Sequence, residues 1–493
     1  MQKRYDLLEV KIVLRYLPEK IIAFFAAVSL LLMLAAAGAA ALDIGARELL
    51  GYLAGSLAYC LFAAMLFLLC RRLPERYMLP LVVLTALCMR LPFALLPEQT
   101  QTSDFLLLYN AAGALAGGDI SALTGSYFQM WGYQIPFVFY EALVLASGGG
   151  IVLLRLLNAA WMSGTAGLCF LLARRAGGTR AGFVSGMLYA AYPGALAMAS
   201  VLTNQHISLF FILLGVYLLI ERGAFSEGGT PPSRLLWSVL AGLSLSFGNL
   251  MRPEAVLALA SAVVAALVLL VRGAQGRKSL LVPLCAMLAA YLALGLAATA
   301  LTSGLAPDGI GNNRPEWKLV LGLDTESSGM YSDENAFILE IEDDAARHEA
   351  AREVISESLA GCESIPAFLW QKLKLFWGAR EDLGYVEGGL PFGEAAVLSG
   401  ERAAFLLMTA LAMYGCVVLL RRRAGAVELL LMCLVAANFL CYLVIEIQPR
   451  YRMFIMPAVF ALAAAGGLCT GCRRLWTRAG KACIIFGLLM ERR

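Results

Sequence analysis

The sequence predicts an all-α polytopic membrane protein with about 12 transmembrane helices. Of its 493 residues, 60% are hydrophobic and 15% are charged, and the mean hydropathy is +0.75. A soluble domain is nearer half apolar and a quarter charged, so this apolar surplus cannot be buried in one water-soluble core. Apolar runs of about 20 residues recur along most of the chain, and a helix of that length crosses a bilayer.

Twelve apolar runs are long enough to be predicted as spans. They cover residues 21–42, 49–70, 79–97, 151–172, 181–199, 203–221, 234–250, 254–272, 279–302, 403–420, 427–445 and 452–472. The apolar stretch 135–146 is too short to cross the bilayer, and we predict that it lies at the interface. No cleavable signal peptide is predicted, because the first apolar run is too long and leads into a second span.

Lys and Arg residues occur in every second loop, which fixes the predicted orientation. Basic clusters lie at residues 3–20, 71–76, 174–180, 272–278, 421–423 and 473–481. Short loops rich in Lys and Arg stay in the cytoplasm, so both termini are predicted to be cytoplasmic. A full span at 135–146 would invert every later loop and spoil this alternation. The basic face suits anionic lipid and does not indicate nucleic-acid binding.

The two long loops then fall together on the outer side. Loop 98–150 has no Lys or Arg, and loop 303–402 has 19 acidic residues against 8 basic ones. The second loop is predicted to form a small helical domain between spans 9 and 10, with a charged helix near 344–359. Its segment 365–377 is amphipathic and predicted to anchor the loop at the headgroups, or to close over a lipid-linked substrate.

These boundaries divide the chain into five predicted parts. They are an N-terminal segment with two extra spans (1–78), a membrane core that contains the first outer loop (79–302), the extracytoplasmic loop domain (303–402), three C-terminal spans (403–472) and a cytoplasmic tail (473–493).

Asp104 is the candidate catalytic residue of the first outer loop. Ser103 is predicted to cap a short interfacial helix that ends at Gly117-Gly118. Asp104 then sits in the first turn, where the helix dipole favours the ionised carboxylate. Such a carboxylate can act as a general base on an acceptor hydroxyl. A role limited to capping the helix is the alternative.

Several arginines lie at or just below the predicted outer interface. Arginine there is costly and usually has an anionic partner, and a lipid phosphate suits the guanidinium fork. Internal ion pairs, such as Arg252 with Glu254 or Arg450 with Glu446, are the alternative. The arginines are Arg90, Arg155, Arg252, Arg450 and Arg452.

No metal or cofactor is predicted. The chain has two histidines, His206 and His348, and its Cys469–Cys472 pair has no second pair nearby. We find no phosphate-binding or dinucleotide-binding glycine motif with the required strand–turn–helix context. Only Cys362 lies in the long outer loops, so no disulfide is predicted there within one chain.

The order of these features resembles a known superfamily. The features are Ser103-Asp104-Phe105 with Tyr109, then Arg155 and Asn158, the turn 173–182, Tyr192-Pro193, Arg252-Pro253 and Arg450-Tyr451 before the last span. The pattern is similar to the GT-C superfamily of membrane glycosyltransferases, in the branch of the protein mannosyltransferases and aminoarabinose transferases (family 39-like). The likeness covers roughly 79–472, and the order and placement of the motifs carry it.

The resemblance implies a sugar donor linked to a polyprenyl phosphate, an extracytoplasmic acceptor (protein, lipid or cell-envelope glycan) and a bacterial plasma membrane. Asp104 matches the expected catalytic base. The residues implied to bind substrate or lipid phosphate are Arg155, Arg252, Arg450, Tyr451, Arg452, Tyr109, Asn204 and His206. Many relatives have an acidic residue where this chain has Asn204, and His206 is considered as its substitute.

Two other classes of protein remain open from the sequence. A polymerase or ligase of lipid-linked glycans also has large outer loops and arginines. A transporter also has about twelve spans, but it usually has two six-span halves joined through the cytoplasm. The long connections of this chain are both predicted to lie outside, and the sequence shows no half-repeat.

Overall fold

The computed structural model of the protein describes residues 2–42, 46–95, 100–273, 276–306, 309–379, 386–387 and 394–466. The described residues are mostly helical. They also contain one antiparallel pair of two-residue strands, β1 (Thr100–Gln101) and β2 (Val386–Glu387). Cys469, Cys472 and the predicted cytoplasmic tail lie outside the described residues.

The helices of the described residues are numbered in chain order. They are α1 (Gln2–Leu42), α2 (Ala46–Arg72), α3 (Glu75–Ala94), α4 (Ser103–Ala116), α5 (Ser126–Met130), α6 (Ile135–Ala146), α7 (Gly150–Gly177), α8 (Thr179–Ala190), α9 (Pro193–Ala197), α10 (Gln205–Glu221), α11 (Pro231–Met251), α12 (Ala255–Arg272), α13 (Arg277–Thr302), α14 (Pro315–Gly322), α15 (Phe337–Glu340), α16 (Asp344–Gly361), α17 (Ile365–Trp377), α18 (Glu394–Arg421), α19 (Ala426–Val444) and α20 (Met456–Ala465). Short 3₁₀ turns occupy Ile120–Leu123, Gly132–Gln134, Met198–Ser200 and Pro449–Phe454.

Eight helical segments of the described chain are long and apolar enough to cross a membrane. The prediction of an all-α polytopic membrane protein is therefore confirmed. The segments are Leu14–Leu42, Leu53–Arg72, Glu75–Ala94, Gly150–Gly177, Ala255–Arg272, Arg277–Thr302, Ser399–Arg421 and Ala426–Val444, and each overlaps a predicted span. Three shorter apolar stretches are Gly132–Ala146, Gln205–Glu221 and Met456–Ala465.

The predicted span 181–199 is not one continuous helix. Helix α8 ends at Ala190, and Pro193 begins the short helix α9. Proline has no N–H to donate and clashes with the preceding turn, so it breaks the helix. Two neighbouring side chains satisfy carbonyls that this break frees: the Tyr59 hydroxyl donates to Leu188 O (2.9 Å), and Arg90 Nη1 donates to Ala190 O (3.0 Å).

Three other predicted spans also differ in their bounds. The span predicted at 203–221 is α10, which has 17 residues, and the one at 234–250 lies inside α11. The span predicted at 452–472 begins as the 3₁₀ turn Pro449–Phe454 and continues as α20. Its residues from 467 onward lie outside the described chain.

The helices pack into a bundle whose centre is rich in small residues. Almost every residue of α8 and α20 is buried. In contrast, α13 exposes rows of leucine such as Leu288, Leu292 and Leu296, as expected for a helix that faces lipid. Helix α11 contacts α13 closely at Gly242, where an added Cβ would lie 2.1 Å from Met287 O. This close approach requires glycine.

Two parts outside the bundle position the candidate site. In the first loop, α4 and α6 pack around Leu108, Phe137 and Val138. Residues 309–379 form a second unit, called the lobe below, in which α14 and α16 pack around Trp317, Leu321, Ile338 and Ala351. The charged helix predicted at 344–359 corresponds to α16, and the amphipathic segment predicted at 365–377 forms the helix α17.

The lobe is joined to the chain just after α19 by backbone hydrogen bonds. Glu446 N donates to Lys318 O (2.9 Å), and Ile447 N donates to Gly329 O (2.9 Å). Gly322 lies directly against this segment, and an added Cβ there would lie 2.3 Å from Val444 O. These contacts place the lobe beside the residues that precede the last apolar helix.

Candidate active site

Asp104 lies in the first turn of α4, as predicted, and its side chain is partly buried. The predicted cap is wrong by one residue, because Thr102 occupies the N-cap position and Ser103 is the first helical residue. Ser103 has a φ of +53°, a left-handed conformation that is uncommon for serine. Gln101 fixes the approach to the helix: its Nε2 donates to Ser200 O (3.1 Å), and its Oε1 accepts from Leu202 N (2.8 Å).

Two tyrosines of the first loop lie near the Asp104 carboxylate. Tyr127 lies near enough to Asp104 for the carboxylate charge to act on its hydroxyl. Burial raises the pKa of Tyr127 above its ordinary value, and the Asp104 charge raises it further. Tyr127 is therefore a neutral phenol beside the carboxylate. Burial also raises the pKa of Tyr133, while Lys318 and Arg252 act in the opposite direction.

Side-chain hydrogen bonds connect Gln134 to Arg252 through Asn204. Asn204 Nδ2 donates to Gln134 Oε1 (2.9 Å), and Arg252 Nη1 donates to Asn204 Oδ1 (3.4 Å). Arg252 Nε also donates to Glu254 Oε1 (2.6 Å). Burial lowers the pKa of Arg252, but Glu254 and Tyr451 outweigh it, so the net pKa is raised and the guanidinium is charged.

Three cations surround the ring of Tyr451. The ring centroid lies 5.0 Å from the Arg252 guanidinium, 5.5 Å from that of Arg450 and 5.8 Å from Lys318 Nζ. Arg450 also lies 5.0 Å from the ring centroid of Phe105, the residue next to Asp104. Positive charges gathered in this way favour an anionic group such as a phosphate.

Of the two predicted ion pairs, the structure contains one. Arg252 pairs with Glu254, as predicted by the alternative in which the arginines form internal ion pairs. Glu446, however, pairs with Lys318 of the lobe and accepts a hydrogen bond from Gln448 Nε2 (2.5 Å). Burial lowers the pKa of Lys318, but Tyr451 and Glu446 raise it more, so its net pKa is above the ordinary value.

The lobe contributes an exposed rim to the site. The Tyr331 hydroxyl donates to Asp333 Oδ1 (2.6 Å). This bond, together with partial burial and the charges of Asp333, Asp104 and Glu446, raises the pKa of Tyr331 to about 12. The rim is therefore close enough to Asp104 for their charges to interact.

Four of the predicted site residues lie apart from this cluster. Arg452 donates to Pro449 O (3.0 Å) and Ala379 O (2.8 Å). His206 is buried, with its Nε2 2.9 Å from Met198 O. Arg155 is buried in α7, where it interacts electrostatically with Tyr109. The other predicted residues, Asp104, Asn204, Arg252, Arg450 and Tyr451, come together.

Sequence reasoning missed four residues of the cluster: Tyr127, Tyr133, Gln134 and Lys318. The first three lie in the stretch 126–134, where four aromatic residues are interspersed with polar ones in a loop without basic residues. That composition could have marked these residues as candidates for the site. Lys318 follows the buried Trp317 in α14, and the sequence gives no sign that it meets Glu446, which is 128 residues away.

No group of three His, Cys, Asp or Glu residues that could hold a metal ion occurs in the part of the chain that the structure describes. The chemistry available in the cluster is that of the partly buried Asp104 carboxylate, three tyrosines and three cations, of which Arg252 and Lys318 are paired with Glu254 and Glu446. This combination can move a proton and bind a phosphate group.

The fold and the cluster define a polytopic membrane protein with a carboxylate beside cations at one end of its helical bundle. The model of the dolichyl-phosphate-mannose-protein mannosyltransferase family matches residues 119–303. This match confirms the resemblance to the GT-C membrane glycosyltransferases. It includes Tyr127, Gln134, Asn204 and Arg252, whereas Asp104 precedes it.

Two solved structures are similar to the chain in part. One is the archaeal oligosaccharyltransferase AglB from Archaeoglobus fulgidus, in complex with an inhibitory peptide and a dolichol-phosphate, with 16% identity and a TM-score of 0.45. The match covers 85% of this chain, which spans 54% of the length of AglB. The other is ArnT from Cupriavidus metallidurans bound to undecaprenyl phosphate, with 13% identity, a TM-score of 0.36, and coverage of 79% and 76%. No protein of curated function matches the chain.

Proposed function

We propose that this protein is a membrane glycosyltransferase that moves a sugar from a polyprenyl-phosphate-linked donor to a hydroxyl acceptor on the outer side of the membrane. The observation that carries the proposal is the convergence of Asp104 with Arg252 and Arg450, which come from three distant parts of the chain. The matching family is named for a dolichyl-phosphate-mannose donor, which supports a lipid-phosphate leaving group.

The proposed reaction is one displacement at the anomeric carbon. The acceptor oxygen forms its bond to that carbon as Asp104 takes the hydroxyl proton. The bond between the anomeric carbon and the phosphate oxygen breaks, and the electron pair leaves with the polyprenyl phosphate. Arg252 and Arg450 hold this phosphate and neutralise its growing charge.

Donor and acceptor would occupy opposite sides of the cluster. The Tyr451 side carries the three cations and suits the phosphate. The Asp104 side is bounded by Tyr127 and by the exposed Tyr331 of the lobe, and it suits a hydroxyl acceptor. The acceptor would be a protein, a lipid or a cell-envelope glycan.

The proposed topology places the cluster outside a bacterial plasma membrane, with both termini in the cytoplasm. It has about 12 crossings, in which α8, α10 and α20 act as short segments buried among longer helices. The first loop (98–150) and the 303–402 domain lie on the same outer side. This arrangement is supported by the basic residues at the opposite ends of the helices, such as Arg71, Arg72, Arg174, Arg175 and Arg421.

Replacing Asp104 by Asn tests the proposed base. We expect Asp104→Asn to abolish transfer from a polyprenyl-phosphate sugar in proteoliposomes, because an amide cannot take the acceptor proton. The loss should exceed about a hundredfold, while the elution volume and melting temperature in detergent stay unchanged.

Asp119→Asn is the matched control in the same loop. Asp119 caps the 3₁₀ turn through Ser121 N (2.9 Å), and asparagine caps equally well. This variant should keep wild-type turnover. Wild-type turnover in Asp104→Asn would rule out the proposed base.

A further inference from the structure

A cavity lies between the first turns of α11 and α13, at the opposite end of α11 from Arg252 of the candidate site. Its volume is about 540 Å³, within the range of about 300–1,000 Å³ that is usual for small-molecule sites. Two basic side chains, Arg234 and Lys278, line it together with the apolar Leu235 and Val282. The cavity therefore combines positive charge with an apolar wall.

The packing of the two helices brings these cations to a similar level. Helices α11 and α13 run in the same direction, because α12 returns the chain from the end of one to the start of the other. They approach each other closely at Gly242, where an added Cβ would lie 2.1 Å from Met287 O. Arg234 precedes Gly242 by about two turns, and Lys278 precedes Met287 by about two and a half turns.

The apolar wall of the cavity continues into a surface suited to lipid. Val282 follows Lys278 by four residues, so both lie on the same face of α13, with Val282 one turn further into the bilayer. Val282 is 55% exposed and Leu235 is 39% exposed. A lysine at such a place covers apolar surface with its stem and keeps its ammonium at the headgroup level.

The two basic side chains differ in how they are held. Arg234 Nε donates to Gly223 O (3.3 Å), and its Nη2 donates to Ala224 O. These carbonyls are neutral, so they fix the guanidinium in place without cancelling its charge. Lys278 is exposed, and within the described residues it makes no hydrogen bond or ion pair. Its ammonium can therefore turn toward an anion in the cavity.

We propose that this cavity binds one anionic phospholipid. Its phosphate diester lies between Arg234 and Lys278, and its acyl chains follow Leu235 and Val282 into the bilayer. Basic pockets between transmembrane helices on the cytoplasmic side bind anionic headgroups in this way. A soluble phosphate would use the two cations only, whereas a lipid also covers the exposed apolar wall. The site does not depend on the proposed transfer reaction.

Photo-crosslinking in vesicles tests the site. The whole protein is placed in phosphatidylcholine vesicles with a trace of phosphatidylglycerol that carries a diazirine near the glycerol end of one acyl chain. Peptide mass spectrometry measures the crosslinks on segments 231–236 and 278–284, which separates this site from the cations around Tyr451. The yield there should exceed that of a phosphatidylcholine probe with the same chain by about fivefold or more. It should fall about fivefold in Lys278→Gln.

Arg277→Gln is the matched control. Arg277 is the exposed neighbour of Lys278 in the same turn of α13 but does not line the cavity. Its replacement should change the crosslink yield less than about twofold, and both variants should melt like the wild type in detergent, because both side chains are exposed. Equal losses in the two variants would show only a general attraction to the basic surface and would overturn the site.

Two further results would also overturn the proposal. Equal crosslinking by the phosphatidylglycerol and phosphatidylcholine probes in the wild type would show that the cavity does not select negative charge. Unlabelled phosphatidylglycerol in the vesicles should displace the probe, whereas an excess of soluble glycerol 1-phosphate should not. Displacement by glycerol 1-phosphate would identify a site for a soluble phosphate and not for a lipid.

Discussion

Tyr451 is the residue on which the cations of the candidate site meet. Its ring contacts Arg252 of the α11–α12 junction, Lys318 of the lobe and Arg450 of its own segment. The ring also stacks with Tyr442 of α19 at a centroid distance of 6.0 Å. Cations over a ring are favourably placed, and the remaining charge is available to an anion.

The individual residues were predictable to different degrees. Asp104, Arg252 and Arg450 could be predicted because a charged side chain beside the hydrocarbon region is costly and is kept only where it has a partner or a function. Gln134 and Lys318 could not, because their roles depend on contacts across 70 and 128 positions of the chain. Arg452 was predicted on the same ground as Arg450. However, its guanidinium donates to backbone carbonyls such as Ala379 O.

The arginine assigned to the lipid phosphate can be tested by neutralisation. Arg450→Gln removes a guanidinium beside Phe105 and Tyr451, so KM for the polyprenyl-phosphate donor should rise about tenfold or more. KM for the acceptor should change little. Steady-state kinetics in detergent micelles measures both constants.

Arg352→Gln is the control for this variant. Arg352 lies on the exposed surface of α16, where its side chain is 80% exposed and Glu349 is 3.8 Å away. Its replacement should leave KM for the donor unchanged. An equal rise in both variants would show that the effect is a general loss of positive charge and not a phosphate contact.

At the scale of elements, α17 holds the lobe against the end of α19. Lys372 is fully buried, and its Nζ donates to Leu443 O (3.2 Å), Ile445 O (2.9 Å) and Gly322 O. The amphipathic pattern of 365–377 predicted a segment at the headgroups but not this buried lysine, because the pattern does not say which backbone carbonyls lie opposite. Likewise, Tyr192-Pro193 marked a break in α8 that hydropathy alone concealed.

The buried lysine gives stability a pH dependence. Burial lowers the pKa of Lys372 to about 8, whereas a free lysine has a pKa of about 10.4. Between these values the unfolded chain binds more protons than the folded chain, so the contribution of Lys372 to stability rises with pH. The difference in melting temperature between wild type and Lys372→Met should therefore change steadily from pH 8 to pH 10, with the wild type gaining relative to the variant.

Gln371→Met on the exposed side of the same helix is the control, since it removes no titrating group. Its melting temperature should differ from that of the wild type by a constant amount over this range. A constant difference for Lys372→Met as well would contradict the assigned role of its burial.

At the scale of the whole molecule, composition and charge were the informative features. Hydropathy predicted the eight long apolar helices because a bilayer sets their length. Short helices such as α8, α10 and α20 lie inside the bundle, where neighbouring helices cover them, and their lengths follow packing. The periodicity of the sequence does not predict how neighbouring helices pack around these short ones.

The acidic character of the lobe agrees with the proposed sidedness. Its exposed acidic residues include Glu326, Asp333, Glu349, Glu353 and Glu357. Basic residues, in contrast, end α2, α7 and α18. The proposed site can form only if the first loop and the lobe share one compartment.

Cysteine labelling in intact spheroplasts measures this sidedness most directly. Single reporters are introduced at exposed positions as Thr124→Cys in the first loop, Glu353→Cys in the lobe and Glu227→Cys between α10 and α11, in a Cys362→Ser background. A membrane-impermeant maleimide should label the reporters at 124 and 353 in intact cells, and the one at 227 only after permeabilisation. Labelling of 124 and 353 from opposite faces, or of both only after permeabilisation, would contradict an outward-facing site built from both segments.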